Sequence, residues 1–503
     1  MIMREEMLVI ENGKISKAEN DIFRELYLQI YKGEIFGIIF DNILERRCLL
    51  DFFKGNKTLD SGRIYLSNEK IVIKESPKYF ESYIAVIERT SKLISSLSIL
   101  ENVLLFAPSM QKYITDNKKY AYAMEEIKKQ LYIDIPMDKS VSSLTSKERV
   151  IIELIKAYIE GKKLVALTDI TDFLKSTELM DIFSLLTRLR ELGMTFAIIE
   201  SFEDIVFEWT DRLAIIRNGK TLGIYRSKDI NRQQIYSALI GDQYKYMVNK
   251  IVPIKEDEPE ELHPILKFVN INTEILKNLN FSINKGEVIK IYYMDDSSYS
   301  HIVELLKGMR KPVSGHIIVS DKEYRVNDAH QAVNKGICFV EESPYKNMLF
   351  YDMSILDNLT LTLADKVPFI WMKRRYTKSV QEFVSRFIDD DITKIRLSGL
   401  SPVKLQQIAY LKWLIYAPSV VVCIKPFTEV DIHLREVTVN MIEMLRRRGI
   451  AVIIFTSNIS ETYRIEGETI YIRNGQVIDA DEVYQVIYGE VYDGGNECER
   501  FEV

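Results

Sequence analysis

Short landmarks recur along this chain at a nearly fixed distance, and that recurrence constrains the fold more than any local pattern. Lys32-Gly33-Glu34-Ile35 returns as Lys285-Gly286-Glu287-Val288, and Ser61-Gly62-Arg63-Ile64 as Ser314-Gly315-His316-Ile317, both 253 residues on. Ser98-Ile99-Leu100-Glu101-Asn102 returns as Ser354-Ile355-Leu356-Asp357-Asn358, and Arg217-Asn218-Gly219 as Arg473-Asn474-Gly475, both 256 residues on. A register held across both halves, with one small insertion, implies a duplicated unit. In 503 residues it implies two homologous domains, each of about 240 residues and large enough to bury its own core. We place the first domain at 1–248, a linker at 249–262, the second domain at 263–490 and a tail at 491–503. The linker carries Pro253, Pro259 and the acidic run Glu256-Asp257-Glu258, a solvated hinge composition.

Each half reads as α/β. A short apolar strand follows Lys-Gly-Glu, at Ile35–Phe40 and at Val288–Tyr292. A helical stretch comes next and ends at Gly55 or Gly308, where a helix C′ glycine belongs. A middle section rich in Lys, Glu and Tyr is expected to be helical, at 113–132 and 372–388. Apolar runs without alternation then mark strands buried on both faces: Leu164–Leu167, Thr195–Ile199, Val420–Ile424 and Ala451–Phe455.

Composition excludes several classes. Lys+Arg 67 against Asp+Glu 73 gives a net charge of −6, without the basic excess of a general nucleic-acid binder. The longest apolar runs fall far short of the roughly 20 residues that span a bilayer, and the charged opening does not read as a signal peptide. Cys48, Cys338, Cys423 and Cys498 are scattered, as are the five histidines, so no disulfide framework or zinc site is expected and a reducing cytoplasm is.

The order of elements resembles the ATP-binding cassette family, and most of all the double-cassette ATPase subunits of bacterial sugar importers, over nearly the whole chain. The carriers are Lys-Gly-Glu before the first strand, Ser-Gly-Arg-Ile and Ser-Gly-His-Ile, the Ser-Ile-Leu-Glu/Asp-Asn pair, Asp211-Arg212-Leu213-Ala214-Ile215, the Arg-Asn-Gly endings, and Leu405-Gln406-Gln407-Ile408 leading to Lys412-Trp413-Leu414. The resemblance implies two tandem ABC-ATPase-like domains, each a core sheet of the P-loop NTPase type with a helical subdomain.

The residues that would make such a protein an ATPase are substituted. A P-loop, G-x-x-x-x-G-K-[ST], needs glycines so that backbone N–H groups wrap the phosphates, a lysine on the β/γ-phosphates and a hydroxyl on Mg²⁺. The matching stretches are Phe40-Asp41-Asn42-Ile43-Leu44-Glu45-Arg46-Arg47 and Tyr293-Met294-Asp295-Asp296-Ser297-Ser298-Tyr299-Ser300, with no glycine in either. Glu45 and the Asp295-Asp296 pair bring carboxylates toward the phosphate position, and like charges ~4 Å apart repel by about 4 kcal/mol at an effective dielectric near 20. Arg46 offers either a phosphate grip or an exposed charge at the helix start, and the second is the expectation. The Asp-Glu that ends the family's Walker B strand reads Thr168-Asp169 in the first half and Ile424-Lys425 in the second. Asp169 is the one carboxylate left, one methylene short; Ile424 cannot ligate metal and Lys425 would repel it. Ser201 and Ser457 stand at the switch-histidine position, with Glu200 the other register in the first half. Arg89 and Glu342 stand at the Q-loop position.

The signature Leu-Ser-Gly-Gly-Gln reads Leu144-Thr145-Ser146-Lys147-Glu148 and Leu400-Ser401-Pro402-Val403-Lys404. The hydroxyls of Thr145 and Ser401 fit vestigial sites less well than helix caps: Thr145-x-x-Glu148 is a capping box, and Ser401-Pro402 an N-cap followed by proline at N1. Arg446-Arg447-Arg448 is expected to complement a helix C-terminus. Trp371-Met372-Lys373-Arg374-Arg375-Tyr376 reads as a helix face or partner surface rather than a nucleic-acid one.

The positions matching the family's nucleotide site are therefore Arg46, Arg47, Arg89, Thr145, Asp169, Tyr299, Ser300 and Ser401, with Phe369 and Trp371 as candidate partner contacts. No cofactor is expected, ATP and Mg²⁺ entering only where substituted sites still bind. The resemblance implies a permease-like membrane protein and other transporter components as partners, no nucleic acid, and a peripheral place at the cytoplasmic face of the membrane. Three functions compete: a non-hydrolysing scaffold or regulator, a working importer ATPase, and a soluble regulator with a different ligand.

Overall fold

A computed structural model describes residues 4–17, 20–104, 117–200, 204–230, 235, 239, 264–363, 366, 377–388, 392–458, 462 and 464–483. The chain divides into two compact units, Met1–Gly241 and Asp242–Val503. The expected linker, the tail with Cys498, Ser201, and the stretch holding Phe369, Trp371 and residues 372–376 lie outside the described residues.

In the first unit, the strands Ile84–Ile87, Leu164–Thr168, Thr195–Glu200, Ile35–Phe40 and Arg212–Arg217 lie side by side in that order, all parallel. Helices cover both faces, which is why the central strands carry unbroken apolar runs with every residue buried. Lys220–Arg226 folds back antiparallel on Arg212–Arg217. A single parallel pairing, Lys220 with Glu25, then joins the sheet to the antiparallel strands Asn20–Tyr31, Glu6–Lys17, Ser61–Leu66 and Glu69–Ile71.

The second unit repeats this order. Ile337–Val340, Val420–Ile424, Ala451–Thr456, Val288–Tyr293, Glu468–Arg473 and Gln476–Ile478 form a six-stranded sheet, and Leu279–Asn284, Pro264–Asn272, Ser314–Val319 and Lys322–Glu323 a four-stranded one. The pairing register is the same in both units. Ile35 pairs with Phe196 where Val288 pairs with Val452, and Ile84 pairs with Leu164 where Ile337 pairs with Val420. A buried parallel strand cannot slip by one residue without turning its side chains to the wrong face, so the sequence spacing is the sheet register. An ion pair repeats too: Lys54 Nζ to Glu88 at 2.6 Å and Lys307 Nζ to Glu341 at 2.7 Å, each joining a helix end to the edge strand.

The small insertion has a definite place. Ten residues separate Ile87 from Ser98, and thirteen separate Val340 from Ser354. The longer connection forms the short helix Pro344–Asn347, where the Ser343 hydroxyl donates to the Thr428 carbonyl at 3.4 Å and Lys346 pairs with Glu429. In the middle sections, helices run over Asn117–Leu131 and Thr377–Val384, within the stretches the composition marked. Arg446 and Arg447 close the helix Ile432–Arg447, both bonded to Glu443. Among the described residues no helix is long and apolar enough to cross a membrane.

The Arg-Asn-Gly landmarks are two-residue hairpin turns. Asn218 and Gly219 have φ of 50° and 73°, Asn474 and Gly475 of 49° and 80°, the left-handed pair that such a turn requires. A Cβ on Gly219 would lie 2.4 Å from the Ile22 carbonyl oxygen, and one on Gly475 2.0 Å from that of Ile275. Gly475→Ala should therefore destabilise the second unit by more than about 3 kcal/mol, through strain and backbone overlap. Gly161→Ala, at φ 76° in open space, should cost only about 1–2 kcal/mol. Urea unfolding of the two variants checks the difference.

Candidate functional site

Strand Ile35–Phe40 passes into helix Ile43–Phe53 through only Asp41 and Asn42, and strand Val288–Tyr293 into helix Asp296–Lys307 through only Met294 and Asp295. No wide loop remains between strand and helix. Asn42 and Asp295 cap their helices, accepting from the backbone N–H of Glu45 at 2.9 Å and of Ser298 at 2.7 Å. The next amides turn back into the helix, Arg46 N–H to the Asn42 carbonyl and Tyr299 N–H to that of Asp295, both at 3.5 Å. Two of the N–H groups that each P-loop position would hold toward phosphate are thus bonded within the chain.

The side chains at the last P-loop glycine position do not reach the phosphate volume either. The Glu45 carboxylate accepts the Gly219 amide at 2.8 Å, and the Ser298 hydroxyl accepts the Gly475 amide at 2.8 Å. Asp295 adds a bond from the Asn474 amide, also 2.8 Å. Each helix start is therefore tethered to the hairpin turn of its own unit. This corrects the expectation that Glu45 points at the phosphate position: it turns aside because the turn amide, pinned at positive φ, needs an acceptor.

The lysine position meets the Walker B position in both units, by different chemistry. Arg46 forms an ion pair with Asp169, with 6% of the Arg46 side chain and 25% of the Asp169 side chain exposed. Arg46 is not the exposed helix-start charge expected from sequence; it is buried because a carboxylate 123 residues away waits at the end of the neighbouring strands. In the second unit Tyr299 stacks on Tyr293 at 4.6 Å and meets Phe455 edge-on at 5.6 Å. The Lys425 ammonium lies over both tyrosine rings, 5.4 Å from Tyr299 and 5.8 Å from Tyr293. Burial, then the charges of Glu341 and Glu342, push the Tyr299 hydroxyl well above its usual range, so it stays protonated. Asp169 and Lys425 share a left-handed backbone, φ 52° and 45°. In the first unit Glu200, 2% exposed, braces the segment after Asp169 by accepting the Ile170 amide at 2.6 Å and the Thr171 hydroxyl at 3.2 Å.

The remaining candidates do not join these clusters. Arg47 is exposed on its helix, and Ser300 is half-buried one turn from the cap. Arg89 is exposed, its carbonyl bonded by Arg149 Nη1 at 2.6 Å. Thr145 forms the full capping box with Glu148, and Ser401 caps helix Pro402–Tyr416 with Pro402 in the first turn. Leu397–Gly399, just before that cap, is a single 3₁₀ turn. Gly219, Gly475 and Tyr293 were missed as site residues; the similar spacing of the Arg-Asn-Gly landmarks from the P-loop positions, 174 and 177 residues, was the available signal. Among the described residues, no group of three or more His, Cys, Asp or Glu is placed to hold a metal ion.

No protein-family model matches the chain. It is similar to the ribose import ATP-binding protein RbsA of Clostridium tetani, 23% identical over 462 residues that cover 90% of this chain and 89% of that protein. It is similar to RbsA of Lactococcus lactis subsp. lactis, 23% identical over 93% of this chain and 95% of the relative. It is also similar to the galactose/methyl galactoside import ATP-binding protein MglA of Treponema denticola, 24% identical over 94% and 95%. Among solved structures, an RNase-L inhibitor matches at TM-score 0.59 and 13% identity over 96% of this chain and 92% of that one. The archaeal ribosome recycling factor aABCE1, solved with a ribosomal stalk protein, matches at 0.58 and 14% over 95% and 92%. These structural likenesses speak to the fold. The two units repeat one α/β architecture, and the chain is similar over about nine tenths of its length to sugar import ATP-binding proteins.

Arg46→Met should destabilise the first unit by about 3 kcal/mol, because it removes the ion pair of a mostly buried carboxylate, and Asp169→Asn should cost a similar amount by removing that pair from Arg46. The double variant should cost clearly less than the sum. A double-mutant cycle by chemical denaturation measures the coupling.

Proposed function

We propose that this chain is a non-hydrolysing double-cassette subunit that docks on a permease-like membrane protein of an import system and serves as its scaffold or regulator. What carries the reading is that both P-loop positions are filled by the chain's own side chains: a capped helix tethered to a hairpin turn, closed by Arg46–Asp169 in one unit and by Lys425 over Tyr299 in the other. ATP would have to displace a buried ion pair in the first unit. In the second it would meet Lys425 where the family places its attacking-water carboxylate. Losing a positioned base alone costs about 10²–10⁴ in rate, and here the metal ligand and phosphate cradle are replaced as well.

Similarity to import ATP-binding proteins over about nine tenths of the chain supports the rest of the reading. It implies a peripheral subunit at the cytoplasmic face, held there by protein contacts. The Ser-Ile-Leu-Glu/Asp-Asn segments keep their caps in both units, Ser98 with Glu101 and Ser354 with Asp357. The framework beside the permease-facing section thus persists where the nucleotide motifs do not.

Purified protein should show no Mg²⁺-dependent ATP turnover above background, below about 0.1 s⁻¹ and far under typical enzymes. Turnover above that level that survives stringent purification would contradict the non-hydrolysing role. Co-expressed with the membrane proteins of neighbouring genes, the chain should float with the membrane fraction. A chain that stays wholly in the supernatant with all of them present would contradict the subunit role.

A further inference from the structure

Two carboxylates are buried side by side at the first helix start, where the second unit has Met294 and Ser298. Glu45 is 4% exposed and Asp41 3% exposed. One side-chain amide serves both, Asn42 Nδ2 donating to Asp41 Oδ1 at 3.0 Å and to Glu45 Oε1 at 2.8 Å. Glu45 Oε1 also takes the Gly219 amide, while Oε2 is buried with no hydrogen-bond partner among the described residues. A carboxylate oxygen in that state is costly when charged and acceptable when it carries a proton. The other charged groups near Glu45 are few. Arg24, on the adjoining strand, has its backbone amide on the Gly219 carbonyl at 2.8 Å and its side chain only weakly favours the Glu45 anion. On the same helix, Arg46 is turned to Asp169, Arg47 is exposed and the Cys48 thiol is itself raised by burial. Lys220, beside the turn, pairs with Glu25 at 2.8 Å.

We propose that Glu45, beside Asp41, is a proton-binding site in the first unit, and that releasing the proton destabilises the helix start and the Arg217-Asn218-Gly219 turn bonded to it, because a charge on the buried, unpartnered Oε2 costs more than the strengthened bonds from Asn42 and Gly219 return. Burial, then the Asp41 charge, push the Glu45 carboxyl up to about 7. The sign follows. The folded chain binds this proton more tightly than the unfolded chain, so the stabilisation is complete below the usual carboxylate range and is lost as pH rises through about 7. The second unit supplies an internal control: the same tether to Gly475 is made by Ser298, which does not titrate in this range. The proposal needs only that the first P-loop position is filled by its own side chains, as the functional reading also holds. A MgATP-induced stability shift would overturn that shared premise without touching the pH comparison.

The test compares wild type with Glu45→Gln in the full chain, without nucleotide, from pH 5.5 to 8.5. Gln keeps an acceptor for Gly219 and cannot ionise. Gln should gain on wild type as pH rises from 5.5 to about 7, by several degrees, and hold that gain to pH 8.5. Glu153 and Glu436, also raised by burial, are present in both proteins and cancel in the difference. Hydrogen exchange gives the local readout. After correction for intrinsic rates, peptides over 213–222 should lose about tenfold protection between pH 6 and 8 in wild type and none in the Gln variant, while peptides over 469–478 stay level in both. Parallel melting profiles, or equal exchange changes at the two turns, would overturn the proposal. Should Glu45→Gln fold poorly, Glu45→Ser, which copies the second unit, must show the same flattened profile for the proposal to stand.

Discussion

The hydrogen bond that a hairpin-turn amide donates to a helix-start side chain is the constraint on which the rest of each site depends. In the first unit Glu45 makes it to Gly219, and in the second Ser298 makes it to Gly475. The turn residue is fixed by its positive φ and by the carbonyl wedged against it, Ile22 or Ile275. Once the turn amide has its acceptor, the helix must begin immediately after the strand. The N-cap residue then takes up two of the amides that a glycine loop would leave free. A single bond of this kind is worth about 1 kcal/mol net. Its larger effect is geometric, since it replaces a phosphate cradle with a closed helix turn in both halves.

The two units close the same space by different means. Arg46 and Asp169 meet as a mostly buried ion pair, whose Coulomb attraction is offset by the cost of taking both charges from water. Lys425 over the stacked Tyr293 and Tyr299 contributes about 0.5–2 kcal/mol as a cation–π contact, with the ring areas adding their burial. The shared feature is that the residue at the lysine position meets the residue at the end of the Walker B strand. On the proposed reading, neither arrangement leaves a carboxylate placed to polarise a water beside a bound triphosphate.

Much of this was legible in the sequence, for definite reasons. The sheet register could be read because parallel strands buried on both faces tolerate no slip, so the 253- and 256-residue spacings carry straight into the pairs Ile35–Phe196 and Val288–Val452. The caps at Thr145 and Ser401 could be read because capping is local, spanning three residues. The closures could not. Whether Arg46 is exposed or buried depends on Asp169, 123 residues away, and no local pattern encodes that meeting. Lys425 read as a charge hostile to metal, which says nothing of the aromatic rings beneath it. The Arg-Asn-Gly landmarks read as repeats and turns, and only their juxtaposition with Glu45 and Ser298 gives them a part in the site.

Neither nucleotide position should accept MgATP, and equilibrium binding is the direct test. Titration of the purified chain with MgATP to millimolar concentration, followed by calorimetry and by thermal shift, should give no saturable heat and no rise in melting temperature. A ligand at 100 times its Kd would add about 2.7 kcal/mol of stability, well within reach of either measurement. Saturable binding that shifts the melting temperature and is lost in Arg46→Ala would contradict the claim and show that the first unit opens its ion pair to hold phosphate.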